Sequence, residues 1–161
     1  MTILEIKILA LLFIANGAPI IAKKVFAEKW QLPIDFGVNF IDSKPLLGKS
    51  KTYRGLILSL LMTSILAPIL GLSILLGFFI ALLSMFGDML SSFTKRRLNF
   101  PSSSMALGLD QIPEALLPVL VLQQTLGLDM DSILRIVIVF SILNLLISRI
   151  LYRLNIRSTP H

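Results

Sequence analysis

The run Gly55-Leu56-Ile57-Leu58-Ser59-Leu60-Leu61-Met62-Thr63-Ser64-Ile65-Leu66-Ala67-Pro68-Ile69-Leu70-Gly71, continued by an equally apolar stretch to Thr94, decides the fold. As one helix it would measure about 60 Å, twice the roughly 30 Å of a hydrocarbon core. Pro68 and Gly71 are the natural breakers, and they predict a hairpin of two spans, 55–70 and 72–94. Outward from it, residues 2–22 form an apolar span before the hairpin. Residues 112–127 and 131–154 form two after it, the former with Pro113 near its first helical position. The expectation is one all-α integral membrane domain, 1–161, with five transmembrane helices.

Composition agrees. Of the 161 residues 55% are hydrophobic and only 15% charged, with mean hydropathy +0.87; soluble domains carry about 25% charged residues. There is no cysteine, which excludes disulfides, thiol catalysis and cysteine-based metal sites, and the one histidine is His161. The net charge of +6 sits beside apolar spans, a placement that fits a phosphate-bearing membrane surface and not nucleic acid.

Cytoplasmic loops of membrane proteins collect Lys and Arg. Lys23, Lys24, Lys29, Lys44, Lys49, Lys51 and Arg54 lie in the 23–54 loop, Lys95, Arg96 and Arg97 in the 95–111 loop, and Arg149, Arg153 and Arg157 near the C-terminus. These are thirteen of the fifteen basic residues. They share one side only if the chain crosses five times with its N-terminus outside and its C-terminus in the cytoplasm. Lys7, Arg135 and the acidic turn around Asp129 and Asp131 fall opposite.

The chemistry concentrates where the third span ends: Gly87-Asp88-Met89-Leu90-Ser91-Ser92-Phe93-Thr94-Lys95-Arg96-Arg97. An acid inside such a segment costs several kcal/mol unless it meets protein, water or a cation. Helical spacing puts Ser84, Asp88, Ser91, Ser92 and Lys95 along one face, with Asp88 about 10 Å below Lys95. That depth suits a group reaching a headgroup or a metal; the plainer alternative is a buried polar tie to another helix.

The long polar loop 33–55 carries Gly48-Lys49-Ser50-Lys51-Thr52-Tyr53-Arg54. It lacks the Walker A glycine, since position 43 is Ser43, and no strand pattern precedes it, so an ATPase phosphate loop is rejected. Its cations are nevertheless well suited to phosphate oxygens. Asp110, in isolation, reads as an acid at a helix N-terminus. Asn16-Gly17-Ala18-Pro19 is expected to break or kink the first span inside the membrane, opening a polar pocket if the backbone is interrupted. Ser141, Asn144 and Ser148 read as interhelical hydrogen-bonding groups.

Three blocks in order resemble the membrane CTP:lipid-phosphate cytidylyltransferases, most of all the CDP-archaeol synthase branch. They are Pro33-x-Asp35-x-Gly37-x-Asn39-x-x-Asp42 leading into Gly48-Lys49-Ser50-Lys51-Thr52-x-Arg54-Gly55, then Gly87-Asp88 with Ser91-Ser92-Phe93-x-Lys95-Arg96-Arg97, then Leu109-Asp110-Gln111. Asn16 and Pro19 resemble that branch's first-helix motif. The diacylglycerol branch is more distant: its last block is longer, and whether Glu114 stands in for a missing second acid is left open.

The resemblance implies transfer of CMP from CTP to a lipid phosphate, archaetidate- or phosphatidate-like, with release of pyrophosphate. It places Mg²⁺ on Asp88 and Asp110, with Lys95 catalytic. The CTP phosphates go to Lys49, Lys51, Thr52 and Arg54, and the nucleotide loop is shaped by Asp35, Asn39 and Asp42. The lipid phosphate goes to Lys95, Arg96 and Asn16. Expected partners are CTP, a membrane lipid phosphate and the bilayer, with a homodimer as a further expectation and no nucleic acid. The site is expected to face the cytoplasm from the cell membrane. CDP-alcohol phosphotransferases need several aspartates on one membrane helix, and only Asp88 lies within a span here. The rival of another class is a small transporter or scaffold using Asp88 as an intramembrane ion site, which leaves loop 33–55 unexplained.

Overall fold

The computed structural model describes residues 1–27, 29–101, 104 and 106–153; Leu154, Arg157 and His161 lie outside them. These residues form six helices: α1 (Ile3–Phe26), α2 (Tyr53–Leu66), α3 (Ile74–Arg97), α4 (Gln111–Val121), α5 (Gln123–Leu126) and α6 (Met130–Arg153). Four of them are long and apolar enough to cross a membrane: α1, α2 with its extension to Leu70, α3 and α6. No strand forms among the described residues, and two isolated bridges in the α1–α2 loop are the only extended pairing there.

The hairpin turns where the breakers lie. α2 ends at Leu66, a 3-10 turn covers Pro68–Leu70, and Gly71 takes a left-handed conformation (φ 72°). Ser73 then caps α3 by accepting the Leu76 N–H at 3.1 Å. The expected fourth span, 112–127, is not one helix. α4 stops at Val121, and α5 adds a single turn before Gly127 (φ 63°). Pro118 withholds one helical hydrogen bond, and Gln123, Gln124 and Thr125 carry no apolar face onward.

Nor does α1 break at Asn16-Gly17-Ala18-Pro19; it runs through. Pro19 has no N–H to give the Ala15 carbonyl one turn back, and the Ser59 hydroxyl of α2 donates to that carbonyl instead, at 2.8 Å. The repair requires α1 and α2 to approach closely, and Gly55 allows it, because a Cβ there would lie 3.1 Å from Pro19 Cβ. Gly77 gives α3 the same access to α2, where a Cβ would stand 2.6 Å from Ala67 Cβ.

α3 packs on α1, α2 and α4, and α6 on α1 and α4. Ile8, Leu11, Leu12, Ile80, Val119, Ile136 and Phe140 fill the space between them. At one end of the bundle the fully buried Glu5 accepts from Arg135 at 2.8 Å, tying the start of α1 to the start of α6. The α2–α3 turn lies at this end too, with Gly71 beside the Lys7 ammonium.

An orphaned buried carbonyl costs about 1–3 kcal/mol. Ser59→Ala should lower stability by that amount in a detergent unfolding titration. Adding Pro19→Ala, which restores the N–H reaching Ala15, should recover most of the loss; equal stability of Ser59→Ala and wild type would remove the repair.

Candidate active site

The end of the bundle away from Glu5 carries the α1–α2 loop. Its two strands of chain meet where the Ile34 N–H donates to Lys51 O at 2.8 Å and Tyr53 N–H to Leu32 O at 3.1 Å. Its tip folds back where Phe40 N–H donates to Lys44 O and Leu46 N–H to Val38 O. Asp35 organises the interior. Only 6% exposed, it accepts the N–H groups of Gly37, Leu47 and Gly48 at 3.0, 2.8 and 2.9 Å. Burial opposes its ionisation, but these three donors outweigh burial and hold its carboxyl below the usual carboxylate range.

The loop is also fastened to the end of α3. The Arg97 guanidinium lies over the rings of Phe40 and Phe93, 5.0 and 4.7 Å from their centroids, and its Nε pairs with Asp42 at 2.9 Å. It donates to Pro45 O at 2.7 Å, while Lys44 Nζ donates back to Arg97 O at 3.0 Å. On the other flank, Arg54 is taken up by the carbonyls of Ala27 and Lys29 at 2.7 and 2.6 Å.

So held, the loop delivers Lys51 to the acid of α3. Lys51 Nζ donates to both carboxylate oxygens of Asp88, at 2.6 and 2.5 Å. The pair sits in a cleft between α1, α2 and α3, lined by Pro19, Ser50, Lys51, Thr52, Met85 and Asp88. Thr52 also caps α2, its Oγ1 accepting the Gly55 N–H at 3.4 Å. One turn deeper, Asn16 donates to Ser84 Oγ and Leu12 O, both at 2.9 Å, joining α1 to α3 within the apolar layer.

A second acid reaches Asp88 from α4. Gly87 lets the helices touch: a Cβ at that position would fall on the Pro113 carbonyl. Glu114 is thereby buried, within electrostatic reach of the Asp88 carboxylate. Asp110 is engaged differently. One oxygen pairs with Lys95 Nζ at 2.6 Å and the other accepts the Ala106 N–H at 2.9 Å. Lys95 also donates to Ser104 O at 2.8 Å and lies within electrostatic reach of Asp88. Arg96 is buried and donates to Pro101 O at 3.0 Å, while its Nε has no hydrogen-bond partner among the described residues.

The geometry thus gathers Lys51, Thr52, Asp88, Glu114, Lys95 and Asp110 into one network. Lys49 and Asn39 are exposed on the loop, and Arg54, Asp42 and Asn16 are committed to tying elements together. Gly87, immediately before Asp88, was the sequence signal for the α3–α4 approach. No group of three or more His, Cys, Asp or Glu that could hold a metal occurs among the described residues. The Asp88–Glu114 pair still offers hard oxygen donors beside a cleft, which fits a divalent cation that takes the rest of its ligands from phosphates and water.

A family model described as CDP-archaeol synthase matches residues 3–161. The chain belongs to the CDP-archaeol synthase family. It is 39% identical to the CDP-archaeol synthase of Sulfurisphaera tokodaii over 80% of this chain and 81% of that one. With the CDP-archaeol synthase of Pyrobaculum arsenaticum it shares 29% identity over 92% of each. A solved structure of an intramembrane enzyme for archaeal membrane lipid biosynthesis superposes with a TM-score of 0.69 at 26% identity, covering 84% of this chain and 89% of that one. The family is one of cytidylyltransferases that activate a lipid phosphate with CTP, and the ion-site transporter reading falls away.

Two predictions follow from the geometry. Gly87→Ala overpacks α3 against α4, which costs about 1–3 kcal/mol, and should cut CTP-dependent turnover at least tenfold by drawing Glu114 from Asp88; wild-type turnover would remove that contact from the site. Asp35, with its folded pKa depressed, contributes loop stability above its unfolded value of about 3.9 and loses it as pH falls through the folded value. Protease resistance of the 33–52 loop should therefore hold at pH 5 and fail only in stronger acid, whereas Asp35→Asn should be cut readily at neutral pH.

Proposed function

We propose that the Lys51–Asp88 cleft is where CTP and the lipid phosphate meet, and that the second acid serving it is Glu114. The observation carrying this is the doubly bonded Lys51–Asp88 pair, a cation from the polar loop brought to an acid inside an apolar helix. The nucleophile, a lipid phosphomonoester, is already anionic and needs no general base. One of its oxygens forms a bond to the α-phosphorus of CTP, the bond from that phosphorus to the bridging oxygen breaks, and pyrophosphate leaves with the electron pair. The difficulty is to bring two polyanions together and stabilise the charge that develops.

Lys51 and exposed Lys49 hold the triphosphate, with the Thr52 hydroxyl as a further donor. Lys95, oriented by Asp110, and buried Arg96 face the lipid phosphate. Mg²⁺, when bound, would neutralise phosphate oxygens at the reacting centre; Asp88 and Glu114 are the groups to hold it. Asp110 serves as a positioning residue, holding Lys95 through one oxygen and the Ala106 N–H through the other. Asp35, Asp42 and Asn39 shape the loop, and Arg54 and Asn16 brace it.

Five crossings, with the site in the cytoplasm, fit the same contacts. The Glu5–Arg135 pair sets the starts of α1 and α6 at one end, while the Asp42–Arg97 pair sets the end of α3 with the loop at the other. The segment α4–α5 then has to return the chain across the bundle. Cysteines at Ser43 and Asn99 should react only with a reagent that reaches the inside; labelling from outside intact cells would overturn the orientation.

The decisive assay is CTP-dependent pyrophosphate release by the purified protein given a lipid phosphate and Mg²⁺. Asp88→Asn and Glu114→Gln should each cut turnover to a small residual rate that needs more Mg²⁺ than the wild type, with Asp110→Asn milder and rescued by no added metal. Lys51→Ala should raise the CTP requirement about 10- to 150-fold, the range for a charge-assisted hydrogen bond, and Arg54→Ala far less. If Asp110→Asn shifts the Mg²⁺ dependence and Glu114→Gln does not, the second acid is Asp110.

A further inference from the structure

We infer that Phe36 and Tyr53 form the platform on which the planar nucleobase stacks, an inference resting on the CTP reading above. Phe36 occupies the left-handed region (φ 51°), which a bulky side chain rarely adopts. It shares a turn with Gly37 (φ 74°), closed by the Val38 N–H donating to Asp35 O at 2.9 Å. The strain is sustained by the Asp35 carboxylate, which holds Gly37, Leu47 and Gly48 from within. Such strain persists where the surroundings overdetermine it, and it concentrates at ligand sites.

Core packing does not account for this conformation. The Phe36 ring is 66% exposed, and it rests on Tyr53 with centroids 5.7 Å apart and planes at 52°. Tyr53 opens α2 directly after Lys51 and Thr52, which makes the aromatic pair the next feature along the chain from the groups assigned to the triphosphate. Ile34, two residues before Phe36, lines the same cleft. A nucleotide anchored at Lys51 presents its base beyond its phosphates, where an exposed aromatic face is the chemistry that binds it. Stacking tolerates any base, so the pair supplies affinity for the nucleotide rather than selection of cytosine.

The test uses the full-length protein in the pyrophosphate-release assay. Phe36→Leu, which keeps apolar volume but loses the π-face, should raise KM for CTP about 5- to 150-fold. Inhibition by tripolyphosphate, which has no base, should stay at its wild-type value. Phe36→Trp should restore the KM. In a Trp30→Phe, Phe36→Trp protein the indole at 36 becomes the sole reporter, and CTP should quench it while tripolyphosphate does not. An unchanged KM in Phe36→Leu, an equal loss of tripolyphosphate affinity, or an indole that responds to lipid vesicles without CTP and is silent to CTP would each overturn the platform. Absence of CTP turnover in the wild type would instead overturn the cytidylyl-transfer reading itself.

Discussion

Asp88 stands in an apolar helix, and the loop end of the bundle is arranged around keeping a cation against it. A carboxylate there without a partner carries a desolvation penalty of several kcal/mol. Lys51 removes that penalty with both oxygens in contact. Lys51 belongs to a loop with little apolar core, so the loop itself needs fastening. The Asp35 carboxylate binds it internally, Arg97 clamps it to α3, and Arg54 draws it to the end of α1. A charge at one position in α3 thereby explains the concentration of polar bonding in residues 33–54.

The same constraint accounts for the close helix contacts below. In hydrocarbon no water satisfies a loose backbone group. Pro19 frees the Ala15 carbonyl, and Ser59 has to come near enough to bind it, an approach that the glycine at position 55 eases. Gly87 plays the corresponding part between α3 and α4. Glycines at helix contacts thus decide which polar groups can meet: Ser59 with Ala15, and Glu114 with Asp88.

Much of this was legible in the residues. Mean hydropathy and span length pointed to a membrane bundle, Pro68 and Gly71 marked the hairpin, and the isolated acid at 88 marked the place where the polar loop meets α3. The failures have physical causes. The continuity of α1 through Pro19 depends on a hydroxyl forty residues away, which no local pattern reveals. α4 and α5 read as one span because apolar content does not register the interruption at Leu122. Among site residues, Asp110 and Glu114 sit one helical turn apart in sequence and are equally acidic. What distinguishes them is the Gly87–Pro113 contact, which exists only in three dimensions. Arg54 read as a phosphate ligand from its charge and neighbours, and its guanidinium meets the carbonyls of Ala27 and Lys29; Asp42, read as shaping the loop, pairs with Arg97.

The Glu5–Arg135 pair has a consequence for how the bundle closes. Glu5 lies on α1 and the cation that meets it on α6, 130 positions further along the chain. The pair can form only once α6 lies beside α1 and α4, so the neutralisation of that buried carboxylate and the completion of the helical wall are one event.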